Sequence, residues 1–303
     1  MNSLFQKFCD FFPPKKMNTK IKKKLFYLIF SLFKFFLKGP FILNFEKIKL
    51  FAYPQKYDYT RSLLTKAQIP DPRERFIIKN NLIGSKNIFI DCGANFGCYS
   101  LDVWSSVHNC KIYAFEPSKK ERFFLNENLK LNGASNINII DLALGDRNGK
   151  VIFNDTRSIK EKNSGGGGFV TLNTAVSYEH YEVNITTLDK YFYNKIEEFK
   201  NSKIFIKIDL EGYDLKAIKG GKNLILNNNC SVVFEFSKMI LKQEDYTSNY
   251  LIEFLNNGYK IYDIFGKACE IHELENRLAE LDISHETCGN FFLTKEKLNF
   301  NYK

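Results

Sequence analysis

The feature that most constrains the fold is an alternation of short apolar segments with helix-like segments between residues 87 and 294. The apolar segments are Asn87–Asp91, Lys111–Glu116, Ile137–Leu144, Lys203–Asp209, Ser231–Phe236, Tyr259–Phe265 and Phe291–Thr294. Helical patterns lie between most of them, at about 98–108, 118–132, 213–227, 246–257 and 272–281. Buried strands that alternate with helices predict an α/β fold with a mainly parallel sheet covered on both faces.

Charge and the position of the first apolar segment divide the chain into three regions. Residues 1–50 hold eleven lysines and only two acids, so they contribute +9 of the total charge of +10. We expect residues 1–50 to form a basic amphipathic segment, residues 51–86 an entry segment that caps the core, and residues 87–303 the main domain. Nucleic-acid enzymes concentrate basic surface around the site, because neutralising phosphates supplies much of their affinity. The rest of the chain, residues 51–303, is nearly neutral at +1, which argues against a nucleic-acid substrate.

Within the basic segment, residues 20–38 have the pattern of an amphipathic helix. Its polar stripe consists of Lys20, Lys24, Tyr27, Ser31, Lys34 and Lys38. The apolar run Leu25–Leu37 is interrupted by a lysine and is shorter than the about 20 residues that span a bilayer. We expect peripheral contact with an anionic membrane, and hence a cytoplasmic protein at the inner membrane surface. Packing on a partner protein and a spanning signal anchor stay open as alternatives.

Cysteine and histidine spacing gives no indication of a disulfide framework or a metal site. The seven cysteines are odd in number and lack CxxC spacing, and no two of the four histidines have helix-face spacing. We expect free thiols in a reducing compartment and no dedicated metal. The glycine run 165–168 predicts a flexible connection, either a plain hairpin loop or a lid over the substrate.

A glycine-containing turn follows the first apolar strand, Asn87–Asp91. That strand ends in an acid, and the motif Gly93-x-Asn95-x-Gly97 then turns the chain into a helix, where open α/β sheets bind ligands. Glu116 ends the next strand, where its carboxylate can accept both hydroxyls of a ribose. A dinucleotide site requires glycine where Asn95 stands, and the acid before the turn would repel a pyrophosphate. The turn thus favours the sulfonium and ammonium groups of S-adenosyl-L-methionine (SAM); an NAD-dependent sugar-modifying enzyme is the disfavoured alternative.

Four blocks of sequence stand out along the chain: Ile90–Gly97, Ala114–Ser118, Ala143–Asp146 and Lys207–Gly212. Together they resemble the motifs of the FkbM-type SAM-dependent methyltransferases, with further similarity at Thr187–Asp189, Gly220–Gly221 and Val233–Glu235. The resemblance covers about residues 75–295, and its most specific parts are the D-x-G-A-N-x-G and K-I-D-x-E-G blocks. One departure is Asp214, where family members often carry glutamate.

The resemblance implies a Rossmann-like class I methyltransferase fold, with a mainly parallel seven-stranded sheet, helices on both faces and an antiparallel last strand. It also implies SAM as the cofactor and O-methylation, commonly of a sugar hydroxyl on a glycan or small molecule. The alternatives are methylation of a small metabolite and a noncatalytic SAM-binding protein at the membrane. The cofactor residues that it implies are Asp91, Gly93, Asn95 and Gly97 at the amino-acid tail, Glu116 and Pro117 at the ribose, Asp141 and Ala143 at the adenine, and Asp209 at the methyl group.

A hydroxyl acceptor must lose its proton during transfer, so a base within reach of it is expected. Asp209, at the end of the fourth strand, is the leading positioning or basic residue, with Glu211 second and Glu235 third. Lys207 lies on the same strand face as Asp209 and can hold a carboxylate ionised. Glu211 also fits an acid that stabilises a helix N-terminus, and Glu235 also fits a structural ion pair.

Overall fold

The computed structural model describes residues 40–45, 47–52, 63, 69–156, 178–237, 248–274 and 288–302, with isolated positions at 7, 28 and 32. The strands are β1 (Phe41–Asn44), β2 (Lys49–Ala52), β3 (Asn87–Cys92), β4 (Cys110–Phe115), β5 (Asn138–Ile140), β6 (Ala143–Leu144), β7 (Gly149–Thr156), β8 (Tyr178–Thr186), β9 (Lys203–Ile208), β10 (Ser231–Ser237), β11 (Lys260–Asp263), β12 (Ala268–Cys269) and β13 (Cys288–Thr294). The α-helices are α1 (Pro72–Asn81), α2 (Cys98–Ser106), α3 (Lys119–Asn132), α4 (Leu188–Phe192), α5 (Asp214–Gly220), α6 (Lys222–Asn228) and α7 (Ile252–Asn256). Three 3₁₀ helices are present in the described ranges, at Tyr193–Glu198, Ser248–Leu251 and Ile271–Glu273.

The central sheet has the order β12-β11-β13-β10-β9-β3-β4-β5. Strands β5, β4, β3, β9 and β10 are parallel, whereas β13 is antiparallel to both of its neighbours. The predicted antiparallel last strand is confirmed. Over the described residues the sheet has eight strands rather than seven, because the two-residue β12 pairs with β11 at the edge.

Two apolar cores cover the two faces of this sheet, as predicted for a buried parallel sheet. In β3, Ile88 and Ile90 face one core and Phe89 faces the other, which follows from the alternation of side chains along a strand. The first core includes residues of α4, α5 and α6. The second includes residues of α1, α2 and α3 and of the β1–β2 hairpin. The Rossmann-like arrangement is therefore confirmed.

The β1–β2 hairpin lies against α3 and crosses residue 50, where charge alone divides the chain. The amide of Phe51 donates to Asn128 Oδ1 at 2.8 Å, and Lys49 exchanges backbone hydrogen bonds with the Asn132 side chain. The Asn128 side chain also donates to the carbonyl of Phe96 at 2.9 Å. Asn128 thus joins the entry hairpin to the turn that follows β3.

Two predicted elements are divided in the structure. The predicted strand Ile137–Leu144 is wrong as a single element: β5 belongs to the central sheet, whereas β6 pairs with β8 in a separate sheet of order β6-β8-β7. The predicted helix 213–227 is two helices that meet at Gly220–Gly221. A Cβ on Gly220 would lie 2.0 Å from the carbonyl oxygen of Gly145, so the helix junction requires glycine for close backbone contact.

Some predicted elements fall wholly or partly on residues outside those described. The amphipathic helix 20–38 and the glycine run 165–168 are among them, as is most of the predicted helix 272–281. In the described part of the 246–257 pattern, a 3₁₀ turn precedes α7. Among the residues described, no helix is long and apolar enough to cross a membrane. Cys92, Cys98, Cys110, Cys230 and Cys269 are free thiols.

Candidate active site

The turn after β3 lies at the carboxyl edge of the sheet, between β4 and β9. The amides of Gly93 and Ala94 both donate to the carbonyl of Phe115 at the end of β4, at 3.0 and 2.9 Å. On the other side, the amide of Asp209 donates to the carbonyl of Cys92 at 3.0 Å. The turn, the end of β4 and the end of β9 therefore form one continuous edge.

Gly93 and Gly97 have φ values of +84° and +82°, which favour glycine. A Cβ on Gly93 would lie 2.0 Å from the carbonyl oxygen of Asp209, and one on Gly97 would lie 2.5 Å from Leu125 Cδ1. The sequence predicts positive φ at these glycines and close approach by a ligand. The structure has the positive φ, but the atoms that approach are the protein's own.

Glu116 is buried beside this turn, and its carboxylate organises the turn. Its Oε2 accepts the amide hydrogen of Asn95 at 2.8 Å, and its Oε1 accepts that of Ser118 at 2.8 Å. Pro117 is buried, and its carbonyl accepts a hydrogen bond from Arg122 at 2.9 Å. A carboxylate has about four acceptor positions, so Glu116 can still accept ribose hydroxyls.

Asp91, the acid before the turn, is almost fully buried. Its Oδ2 accepts hydrogen bonds from the amide and the hydroxyl of Ser100 at 3.1 and 2.6 Å, which fixes β3 to α2. Burial raises the pKa of Asp91, an effect that Lys207 opposes. Asp91 Oδ1 and Asn95 Oδ1 are both buried and have no hydrogen-bond partner among the described residues.

The residues that the resemblance places at the adenine follow β5. Asp141 is exposed, Leu142 is partly buried, and Ala143 is buried at the start of β6. The chain leaves the central sheet at Asp141 and Leu142, just after β5. These residues lie at the same carboxyl edge as Glu116, the residue after β4. The structure thus brings the three predicted cofactor segments to one edge, in the order expected for the tail, ribose and base of a nucleoside.

Lys207 and Asp209 form an ion pair at the end of β9. Lys207 Nζ lies 2.9 Å from Asp209 Oδ2, and the lysine side chain is 4 % exposed whereas that of Asp209 is 47 % exposed. Burial by itself would lower the pKa of Lys207, but the carboxylates of Asp209, Asp91 and Glu74 outweigh it and raise that pKa. A buried, charged lysine therefore holds an accessible carboxylate, as the strand alternation predicts.

The other two predicted acids lie in a group of carboxyls beside Asp209. Burial, followed by the charges of Asp209, Glu235 and Asp214, raises the pKa of Glu211 well above its usual value. The amides of Glu235 and Leu210 donate to the two oxygens of Asp214, at 3.1 and 3.3 Å. Asp214 therefore links the turn after β9 to β10 despite being shorter than the glutamate common in the family. Among the described residues, no group of three potential ligands has the arrangement of a metal site.

Three further polar residues, Glu74, Tyr99 and Asn290, form a group of contacts that reaches Lys207 and that sequence patterns do not reveal. Glu74 of α1 is 1 % exposed, and its Oε2 accepts a hydrogen bond from Asn290 of β13. The hydroxyl of Tyr99 lies within hydrogen-bonding reach of Glu74 and donates to Asp71 at 3.3 Å. A helical wheel offers one signal, because Glu74 shares a face with the buried Ile77 and Ile78. The pattern Pro72–Glu74 otherwise indicates only a helix start.

A second concavity, of about 810 Å³, lies at the opposite edge of the sheet. Its lining includes Asn87, Cys110 and Asn138 at the amino ends of β3, β4 and β5. Open α/β sheets bind ligands at the carboxyl ends of their strands. We therefore assign the site to the edge that carries Asp91 and Asp209.

The carboxyl edge fits SAM in the chemistry of its groups. Asp91 Oδ1 and Asn95 Oδ1 are buried acceptors for hydrogen-bond donors, and the carboxylates of Asp91 and Asp209 suit a cation. Glu116 offers acceptor positions for a ribose. A dinucleotide site needs three glycines around its phosphates, and here Asn95 stands in place of the second one. Asn95 has a φ of +49°.

Comparisons with known proteins agree with this geometry. The family model of the methyltransferase FkbM domain matches residues 91–261, which is more than half of the chain. That range begins at Asp91 and includes Glu116, Lys207 and Asp209. A search of the curated proteins found no match.

Solved structures similar to this chain include three methyltransferases. FkbM from Methylobacillus flagellatus is 15 % identical, with a TM-score of 0.41; the match covers 69 % of this chain and 43 % of that one, so this chain spans less than half of its length. An rRNA methylase from Streptococcus thermophilus is 10 % identical, with 76 % and 98 % covered and a TM-score of 0.40. A SAM-dependent methyltransferase from Agrobacterium tumefaciens is 8 % identical, with 86 % and 71 % covered and a TM-score of 0.40.

At such identities and TM-scores the solved structures carry no argument about activity, and the assignment depends on the family model and on the site. SAM is the cofactor of class I methyltransferases. The sheet order, the turn at Gly93 and the carboxylates at the ends of β3, β4 and β9 lie inside or beside the matched range. This chain therefore belongs to the FkbM family of SAM-dependent methyltransferases.

Proposed function

We propose that this chain transfers the methyl group of SAM to a hydroxyl group, on a sugar of a surface glycan or of its precursor. The observation that carries the proposal is the Lys207–Asp209 pair, in which a buried lysine fixes a half-exposed carboxylate at the carboxyl edge. A hydroxyl is a poor nucleophile until its proton is taken, and a positioned carboxylate can accept that proton. The sugar acceptor follows from the family resemblance.

In the proposed mechanism, the protein aligns the acceptor and accepts one proton. SAM supplies a methyl group on a good leaving group, so alignment of the acceptor oxygen contributes much of the rate. Asp91, Asn95 and Glu116 would bind the cofactor. Asp209 would orient the hydroxyl and take its proton while the oxygen–carbon bond forms and the carbon–sulfur bond of SAM breaks, which releases the neutral thioether. Lys207 holds the carboxylate of Asp209 in place through their ion pair of 2.9 Å.

Binding can be tested before the acceptor is known. We expect SAM and its demethylated product to raise the melting temperature of the full chain, and NAD to have no such effect. A preference for NAD would contradict the assignment of the cofactor. Mass spectrometry of surface glycans from cells with and without the gene then tests the acceptor, and unchanged methylation would contradict the glycan proposal.

Asp209→Asn tests the mechanism. We expect kcat to fall about 100-fold or more, with a much smaller loss of SAM affinity, because the amide cannot accept the proton. The control is Glu182→Gln, which breaks the exposed Lys150–Glu182 pair of the small sheet and should leave kcat unchanged. Full transfer by Asp209→Asn would rule out Asp209 as the base.

A further inference from the structure

The ammonium group of Lys207 is paired with Asp209 and lies within electrostatic range of two further carboxylates. Besides Asp209 on its own strand, the charges of Asp91 on β3 and Glu74 on α1 act on it. The ring of Tyr99 lies 4.5 Å from Lys207 Nζ. Burial raises the pKa of Glu74, and the charge of Lys207 is the largest influence that lowers it.

We propose that Glu74 is a positioning residue of the transfer site, which acts through Lys207 to set the charge that Asp209 presents to the cofactor and acceptor. The proposal builds on the proposed function. It also assigns a role to the entry segment, since Glu74 and Asn290 both lie outside the family-matched range 91–261. Helix α1 is then part of the active site, and not only a cover for the core.

The contacts of Glu74 hold its carboxyl group against several elements. Asn290 on β13 donates to it, and the Tyr99 hydroxyl on α2 lies within hydrogen-bonding reach of it. The charged groups that face it are Lys207 and Asp209 on β9 and Asp71 just before α1. This arrangement couples the ionisation of Glu74 to the Lys207–Asp209 pair.

The coupling has a direction. When Glu74 is ionised, its charge and that of Asp209 both act on the ammonium of Lys207, so the group carries one more negative charge. When Glu74 is protonated, Lys207 interacts mainly with Asp209. Burial raises the pKa of Glu74 to about 7, so the change occurs near neutral pH.

The proposal can be tested without an acceptor, by the affinities of the full chain for SAM and its neutral thioether product across about two pH units on either side of neutrality. Ionisation of Glu74 adds one negative charge to the group around Lys207 and Asp209, where the proposed function puts the sulfonium of SAM. We expect the ratio of SAM affinity to product affinity to rise roughly threefold to tenfold with pH, the effect of one charge at intermediate dielectric constant. Titration calorimetry on wild type and Glu74→Gln measures the ratio.

In Glu74→Gln the part of the rise that Glu74 causes should be lost, whereas any contribution from Glu211, whose pKa burial also raises, is present in both proteins. Tyr99→Phe should move the Glu74 part of the rise to higher pH, because the Tyr99 hydrogen bond lowers the pKa of Glu74. Glu127→Gln on α3 is the matched control and should behave as wild type. A role in folding alone would produce neither a smaller rise nor a displaced one.

A Glu74→Gln variant that binds the product normally and keeps the wild-type rise would overturn the proposal. If that variant does not fold, Tyr99→Phe decides: a displaced rise supports the proposal and an unmoved one overturns it. Failure of wild type to methylate any hydroxyl would contradict the proposed function instead, because the affinity ratio needs no acceptor.

Discussion

At the residue scale, the turn of the site depends on positions where a side chain cannot fit. Gly93 combines a positive φ with backbone contact to Asp209, so the turn and the end of β9 are in direct contact. Gly133, at the C-terminus of α3, also has a positive φ of +69°, but a Cβ added there would have no described atom within 4 Å. Alanine substitutions at the two glycines therefore distinguish the free-energy cost of a positive φ from the cost of a steric collision.

Gly93→Ala should lower the free energy of unfolding by about 2–4 kcal/mol, since an unfavourable φ and a backbone collision add together. It should also weaken SAM binding, because the carbonyl of Asp209 must move. Gly133→Ala should cost about 1 kcal/mol and leave SAM affinity unchanged. Urea denaturation and calorimetry measure both quantities, and equal costs at the two positions would contradict the packing argument.

Glu74 predicts a pH dependence of stability. Its pKa is raised from 4.5 to about 7, so the folded chain binds this proton more tightly than the unfolded chain does. Between these values the folded state holds more protons, and its stability therefore falls as pH rises. Above pH about 7 the ionised Glu74 should cost about 3 kcal/mol.

Glu74→Gln removes this titration. Relative to wild type, its free energy of unfolding should increase as pH rises from about 4.5 to about 7, by up to about 3 kcal/mol. Urea denaturation at several pH values measures the difference. A constant difference between Glu74→Gln and wild type would mean that Glu74 titrates normally.

At the element scale, α1 is held to α2 by an acid that serves two cations. Asp102 lies 2.5 Å from Arg75 Nη1 and 2.8 Å from Lys79 Nζ, and Arg75 also donates to the carbonyls of Ile69 and Pro70. Arg75 is buried, so loss of its partner would leave a charge without compensation. This contact helps place α1, and hence Glu74, over the carboxyl edge.

Asp102→Asn should therefore lower the free energy of unfolding by about 3 kcal/mol. Glu182→Gln, which breaks an exposed pair, should cost less than about 1 kcal/mol. Chemical denaturation measures both. A cost for Asp102→Asn as small as that of the exposed pair would show that Arg75 finds another partner.

At the scale of the whole molecule, charge and site lie in different parts of the chain. Residues 1–39 contain nine lysines and one acid, and the described fold begins with the hairpin that includes β1 at Phe41. The hairpin is joined to the cofactor turn through Asn128, so a deletion that enters β1 would disturb the site. A deletion of residues 1–39 leaves this connection intact.

Removal of residues 1–39 should abolish flotation of the protein with anionic liposomes, because each lysine near such a surface contributes about 1 kcal/mol. The melting temperature and SAM affinity should stay close to those of the full chain. Flotation of the full chain with neutral liposomes serves as the control. Undiminished flotation of the shortened chain would rule out this segment as the membrane contact.

The sequence was enough to predict the parallel sheet, the turn after β3 and the Lys207–Asp209 pair, because periodicity and spacing are local and do not depend on packing. It did not show where the third predicted strand divides, because that division at Asp141 and Leu142 depends on the pairing of β6 with β8, which is a tertiary contact. Nor did it identify Glu74, Tyr99 and Asn290, which are far apart in the chain and are brought together by α1, α2 and β13. A buried acid acquires its chemistry from its surroundings, so only the tertiary structure could decide that Glu74 belongs to the site.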